Sequence, residues 1–124
     1  MCLDPIIMAL DRVQLERELH EYLESLYADL ERDWRVKPER IKDLRLYWPR
    51  WQATFSKRTR GQKTYWQVVF SVVEPLPPAP DGTRRHKLKA LLGIVRAEKD
   101  KDRLKNLWRR IRVIKALQEV LEYL

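Results

Sequence analysis

The chain has 124 residues, enough for one ordinary domain with one core. It is 44% hydrophobic and 10% aromatic with only three Gly, a composition that buries enough apolar surface to offset chain entropy and excludes a disordered polymer. Its single Cys, Cys2, excludes an internal disulfide, no Cys/His cluster offers a zinc spacing, and no apolar run approaches the roughly 20 residues that a membrane-spanning helix needs.

The formal net charge is +8, and its distribution says more than its size. Residues 1–34 hold three Arg/Lys against nine Asp/Glu, a net −6, whereas residues 35–124 hold 23 against nine, a net +14. A block of that positive density is the footprint of a polyanion binder, because phosphates placed beside lysine and arginine release condensed counterions. A charge-rich surface selected for stability also raises Arg and Glu together, but it does not segregate them.

The N-terminal Met1-Cys2-Leu3-Asp4 lacks the basic stretch that opens a signal peptide, so a cytoplasmic protein is expected, with either Met1 or Met8 as a suitable start. Over 11–34, Leu15, Leu19, Tyr22, Leu23, Leu26, Tyr27, Leu30 and Trp34 recur at helical spacing with acids on the other side. The pattern predicts an amphipathic acidic helix, capped by Asp11 or Asp4 and limited by Pro38.

From Leu44 the period shortens to two. Leu44, Leu46 and Trp48 share one parity before Pro49, and Trp51, Ala53 and Phe55 share the other after it, which predicts an edge strand or a bulge. Thr64 to Val73 alternates Trp66, Val68, Phe70 and Val72 against Tyr65, Gln67, Val69 and Ser71, a strand with one strongly apolar face. Between the two lies Lys57-Arg58-Thr59-Arg60-Gly61-Gln62-Lys63, in which Gly61 and four cations mark a hairpin tip. Residues 44–73 therefore form an aromatic, basic hairpin.

Residues 74–83 carry four prolines and then Asp81-Gly82, a stiff connection ending in a turn. In 84–97, Leu88, Ala90, Leu92 and Ile94 suit a strand while Leu88, Leu91, Leu92 and Val95 suit a helix. Gly93 and the β-branched Ile94-Val95 favour a third strand. From about Arg103 to the end, Leu104, Leu107, Ile111, Ile114, Leu117 and Leu121 turn one way, Lys101, Lys105, Arg109, Arg112 and Lys115 turn the other, and Trp108 sits at the border of the two. Helix, two or three antiparallel strands, helix make a single α+β domain, with both helices on one face of the sheet.

Catalytic apparatus is not expected. His20 lies in the acidic helix, His86 follows two arginines, and Cys2 has no neighbouring base. Asp81 followed by Glu98-Lys99-Asp100-Lys101 does not have the register of a metal-dependent nuclease, and glycines at 61, 82 and 93 form no phosphate-cradling loop. No cofactor and no metal are called for. What remains is cations interleaved with rings: Arg45, Tyr47, Trp48, Arg50, Trp51, Lys57, Arg58, Arg60, Lys63, Tyr65 and Trp66. Rings stack on unpaired bases while arginine and lysine track the backbone.

Trp66 and Trp34 are expected in the core, and one of Trp48 and Trp51 outside it. The expected function is a non-catalytic nucleic-acid-binding accessory protein, RNA or single-stranded DNA before duplex DNA, with no membrane partner. The site residues are Arg45, Arg50, Trp51, Lys57, Arg58, Arg60, Lys63 and Tyr65 of the hairpin and Lys105, Arg109, Arg112 and Lys115 of the last helix. The alternative is an assembly subunit that docks on protein, or on its own copy, through the acidic helix or the apolar C-terminus.

Overall fold

Helix α1, Pro5–Asp33, runs far enough to need a firm stop, and Arg35 supplies it in the left-handed conformation (φ 55), with Val36 N–H reaching back to the Leu30 carbonyl at 3.0 Å. The computed structural model describes residues 5–124, with side chains from Asp11 onward. Asp11 lies inside α1 and caps nothing, contrary to expectation; Asp4 lies outside the described residues. Leu19, Leu23, Leu26, Tyr27 and Leu30 are buried, but Tyr22, counted with them by spacing, is 47% exposed.

Residues 38–47 overturn the first strand expected from the sequence. They form helix α2, Pro38–Tyr47, with Pro38 in its first turn, and Ile41 and Leu44 turned into the core at i, i+3. Leu46, which the alternation put on the same face as Leu44, is 71% exposed. The residues between Pro38 and Pro49 can be read with either period because only two apolar positions are truly inward. Proline at the start and Glu39 in the first turn are the helix signals.

Strands β1 (Gln52–Arg60), β2 (Lys63–Leu76) and β3 (Arg85–Ala97) form an antiparallel sheet in the order β1-β2-β3. Gly61 (φ 63) opens the two-residue loop between β1 and β2, the position where such a loop needs a positive φ. β2 runs into the proline-rich stretch that was expected to be a connection, pairing Pro75 with His86 and Leu76 with Arg85. Proline fits there because β1 pairs only as far as Ser71, so β2 has a free edge beyond it.

The third strand is present, but its parity is not the one the alternation suggested. Register shifts between Phe70/Ser71 and Val72/Val73 leave Leu92 and Lys89 as extra residues, so Leu88, Leu91 and Ile94 pair on the face of Val73, Ser71 and Val69. Ala90, Val95 and Ala97 pair on the face of Val72, Val68 and Trp66. Helix α3, Lys101–Tyr123, is capped by Asp100, whose carboxylate accepts from Arg103 N–H at 3.0 Å. It buries Leu104, Leu107, Ile111, Ile114 and Leu121.

The core fills the space between the three helices and one sheet face, where α1 and α3 lie side by side and α2 reaches β3. The fold is α+β, and among the described residues no helix is long and apolar enough to cross a membrane. A side chain held at positive φ costs roughly 1–2 kcal/mol, of which glycine's larger unfolded-state entropy cancels part. Arg35→Gly should therefore raise the unfolding free energy by about 0.5–1 kcal/mol in a denaturant titration; a loss of stability would show that the Arg35 side chain contributes more than its backbone costs.

Candidate nucleic-acid interface

Between α2 and β1 the Trp48–Pro49 peptide is cis, and Trp51 enters the core fully buried. Its ring lies 5.4 Å from Phe70, edge-on, and 5.3 Å from Trp48. Trp51 was expected to be a base-stacking residue, and its burial removes it from that role. Trp48 is half-buried against it, so the two rings turn to one side of the chain instead of opposite sides. The Tyr27 phenol and the Trp51 indole N–H are both buried without an ordinary hydrogen bond, and burial pushes the phenol above its usual range.

Lys115 also leaves the expected site. Its ammonium donates to the carbonyls of Pro49 (2.6 Å) and Trp51 (2.8 Å) and sits 5.3 and 5.5 Å from the ring centres of Trp48 and Trp51. Burial pushes the amine below its ordinary range, against the opposing fields of Glu119 and Glu122. Spacing alone puts Lys115 on the basic side of α3, but at roughly 100° per residue it stands about 40° from Lys101 and about 60° from Arg112 around the helix, turned toward the buried side. It ties α3 to the start of β1.

That tie sets the rest of the surface. α3 begins beside the end of β3, where Ala97 pairs with Trp66, and runs back along β1 to Pro49. Along this seam lie three half-buried rings: Trp66 stacked on Phe55 at 5.2 Å and 13°, and Phe55 against Trp108 at 5.6 Å. Cations flank them. Lys101 Nζ is 4.2 Å and Lys57 Nζ 5.8 Å from the Trp66 ring centre, and the Arg112 guanidinium is 4.9 Å from that of Trp108. Each such contact contributes about 0.5–1 kcal/mol at an exposed site and holds a flexible cation in place.

The expected residues thus divide. Lys57, Lys105 and Arg112 belong to the seam; Arg58, Arg60 and Lys63 are exposed at the adjoining hairpin tip, where the pairs Arg58–Tyr65 and Arg60–Lys63 fall on the opposite sheet face. Arg109 is exposed on the outer side of α3. Tyr65, paired with Arg58, is half-buried on the opposite sheet face with the Arg96 guanidinium 5.3 Å from its ring. Arg50 is exposed near the Tyr47 ring, at the far end from the tip. Arg45 is on α2, not on the hairpin; it pairs with Glu24, holding that carboxyl below its usual range, and covers Tyr27 at 4.9 Å. It is a structural cation.

Lys101 and Trp108 are not among the site residues expected from the sequence, although one falls in the basic stripe of α3 and the other on its border. Trp66 and Trp34, expected in the core, are half-buried, the latter under Arg103 at 4.6 Å. Among the described residues, no group of three or more His, Cys, Asp or Glu is placed to hold a metal ion. The chain matches no protein-family model, no curated protein and no solved structure.

Two substitutions separate scaffold from surface. Trp51→Ala should cost about 3–5 kcal/mol of stability, and Lys115→Ala about 1–3 kcal/mol by leaving two carbonyls unpaired. Neither should lower the oligonucleotide affinity of the folded fraction as much as Arg112→Ala does. If Lys115→Ala melted like the parent and bound more weakly, Lys115 would belong to the surface.

Proposed function

We propose that this protein is a non-catalytic nucleic-acid-binding accessory protein that grips the phosphate backbone with the β1–β2 tip and the α3–β1 seam. The observation that carries this reading is where the carboxylates go. Among the described residues, four acids of α1, Glu16, Glu24, Asp29 and Asp33, pair with Arg12, Arg32, Arg45 and Arg110, none of which belongs to the tip or the seam. Among the described residues, Lys57, Arg58, Arg60, Lys63, Lys101, Lys105 and Arg112 have no carboxylate oxygen within 4.0 Å. Like charges crowded at the tip and along the seam repel, and phosphate is the ligand that relieves them with a gain from counterion release.

Base stacking has less support than backbone binding. The two faces of Trp66 meet Phe55 and Lys101, and Trp108 lies between Phe55 and Arg112. A base would have to displace a cation to reach either ring. Tyr65 beside Arg58 and Arg96 is the remaining candidate for stacking, so the preference for RNA or single-stranded DNA rests on that face. An assembly role is the second reading, favoured by apolar side chains left exposed on α3, and a pull-down after nuclease treatment separates the two: a protein partner survives it.

The direct test is fluorescence anisotropy with a random-sequence single-stranded oligonucleotide across a salt series. Arg58→Ala/Arg60→Ala should leave the melting temperature nearly unchanged and flatten the slope of log affinity against log salt by about 1.4, at about 0.7 per lost phosphate contact. Lys101→Ala/Lys105→Ala should do the same from the other side of the seam. Parent-like affinity and slope in both variants would refute the reading.

A further inference from the structure

The outer face of the α1–α3 pair, away from the sheet, carries a second apolar line, of which Leu117 alone is packed against the core. Val113 (58% exposed), half-buried Leu117, Val120 (48% exposed) and Leu124 recur at steps of four, three and four, the spacing of a helix seam. Tyr22 of α1 lies beside it. A groove of about 410 Å³ between the helices is lined by Glu18, Tyr22, Arg110, Val113, Ile114 and Leu117. A helix that covers one core has one apolar stripe, and α3 has a complete one in Leu104, Leu107, Ile111, Ile114 and Leu121 without these residues.

The charges beside the groove are split between its two walls. α1 presents Glu18 and Glu21, and α3 presents Arg109, exposed and without an acid partner among the described residues. The helices are antiparallel, since Asp29 near the end of α1 meets Arg110 in the first half of α3 at 2.6 Å. A two-fold axis running along the groove would lay α1 of each copy over α3 of the other, setting the acidic wall on the basic wall twice and the apolar line in the middle. The face is complementary to itself.

The area also suits. At 1.5 Å per residue the 23 residues of α3 span about 34 Å, and two helices side by side are about 20 Å wide. That is on the order of 700 Å² per copy, near the roughly 800 Å² that a specific interface buries on each partner.

We infer that the α1–α3 face is a homodimer interface, with α1 of one copy packed on α3 of the other. The nucleic-acid seam lies on the β1 side of α3 and stays open in such a dimer, so this inference stands apart from the proposed function. Sedimentation velocity over a concentration series should show twice the 15.1 kDa chain mass at the higher concentrations. Val113→Glu should make the chain monomeric with its circular dichroism and melting intact. Glu21→Arg and Arg109→Glu should each weaken dimerisation severalfold, and Glu21→Arg/Arg109→Glu in one chain should restore it, because the exchanged charges meet across the two copies. A monomer at every concentration, a dimer indifferent to Val113→Glu, or a double variant no better than the singles would each overturn the inference.

Discussion

The surface of this protein depends on how Trp51 and Lys115 are seated. Trp51 is enclosed by Trp48, Phe70 and the helices, and its carbonyl together with that of Pro49 is satisfied by a lysine from α3. A buried carbonyl without a donor costs about 1–3 kcal/mol, so α3 is held at one register along β1. The same register sets Lys101 over Trp66 and the Trp108 ring against Phe55. An aromatic core contact and two hydrogen bonds thereby decide where the cations of α3 stand relative to those of the hairpin.

Electrostatics divides the chain into two kinds of cation. Arg45 and Arg110 carry the attraction between the acidic first helix and the rest of the fold, bonding Glu24, Ser25 and Asp29. These pairs are partly exposed and of modest worth individually, and among the described residues no acid of α1 comes within 4.0 Å of a seam cation. The segregation visible in the charge count therefore survives folding: the positive surface is presented, not cancelled. Aromatic rings in the seam hold cations over their faces, which makes it a charged ridge with an apolar floor.

Much of the fold was legible because long, strongly periodic segments leave little choice. α1 and α3 follow from leucine spacing, β2 from strict alternation, and the tip from a glycine among cations. Short or interrupted segments were not legible. α2 has two inward residues and reads equally as a strand, and β3 conceals two bulges whose extra residues reverse its parity partway along. The site was half legible: the tip follows from composition, whereas the burial of Trp51 and the inward turn of Lys115 depend on a tertiary contact between residues 64 apart in sequence. No local pattern announces such a contact. The rings that do border the seam, Trp66 and Trp108, were each visible as pattern members, one assigned to the core and one to a boundary.

Mapping backbone amide shifts in solution, as a random-sequence oligonucleotide is added at near-physiological salt, tests whether the tip and the seam positioned by this anchor bind phosphate together. The account predicts shifts concentrated at residues 57–63 and 101–112, fading as salt rises, with the amides of residues 14–28 on α1 unmoved. Shifts concentrated on α1, or no shifts at any oligonucleotide concentration, would contradict it.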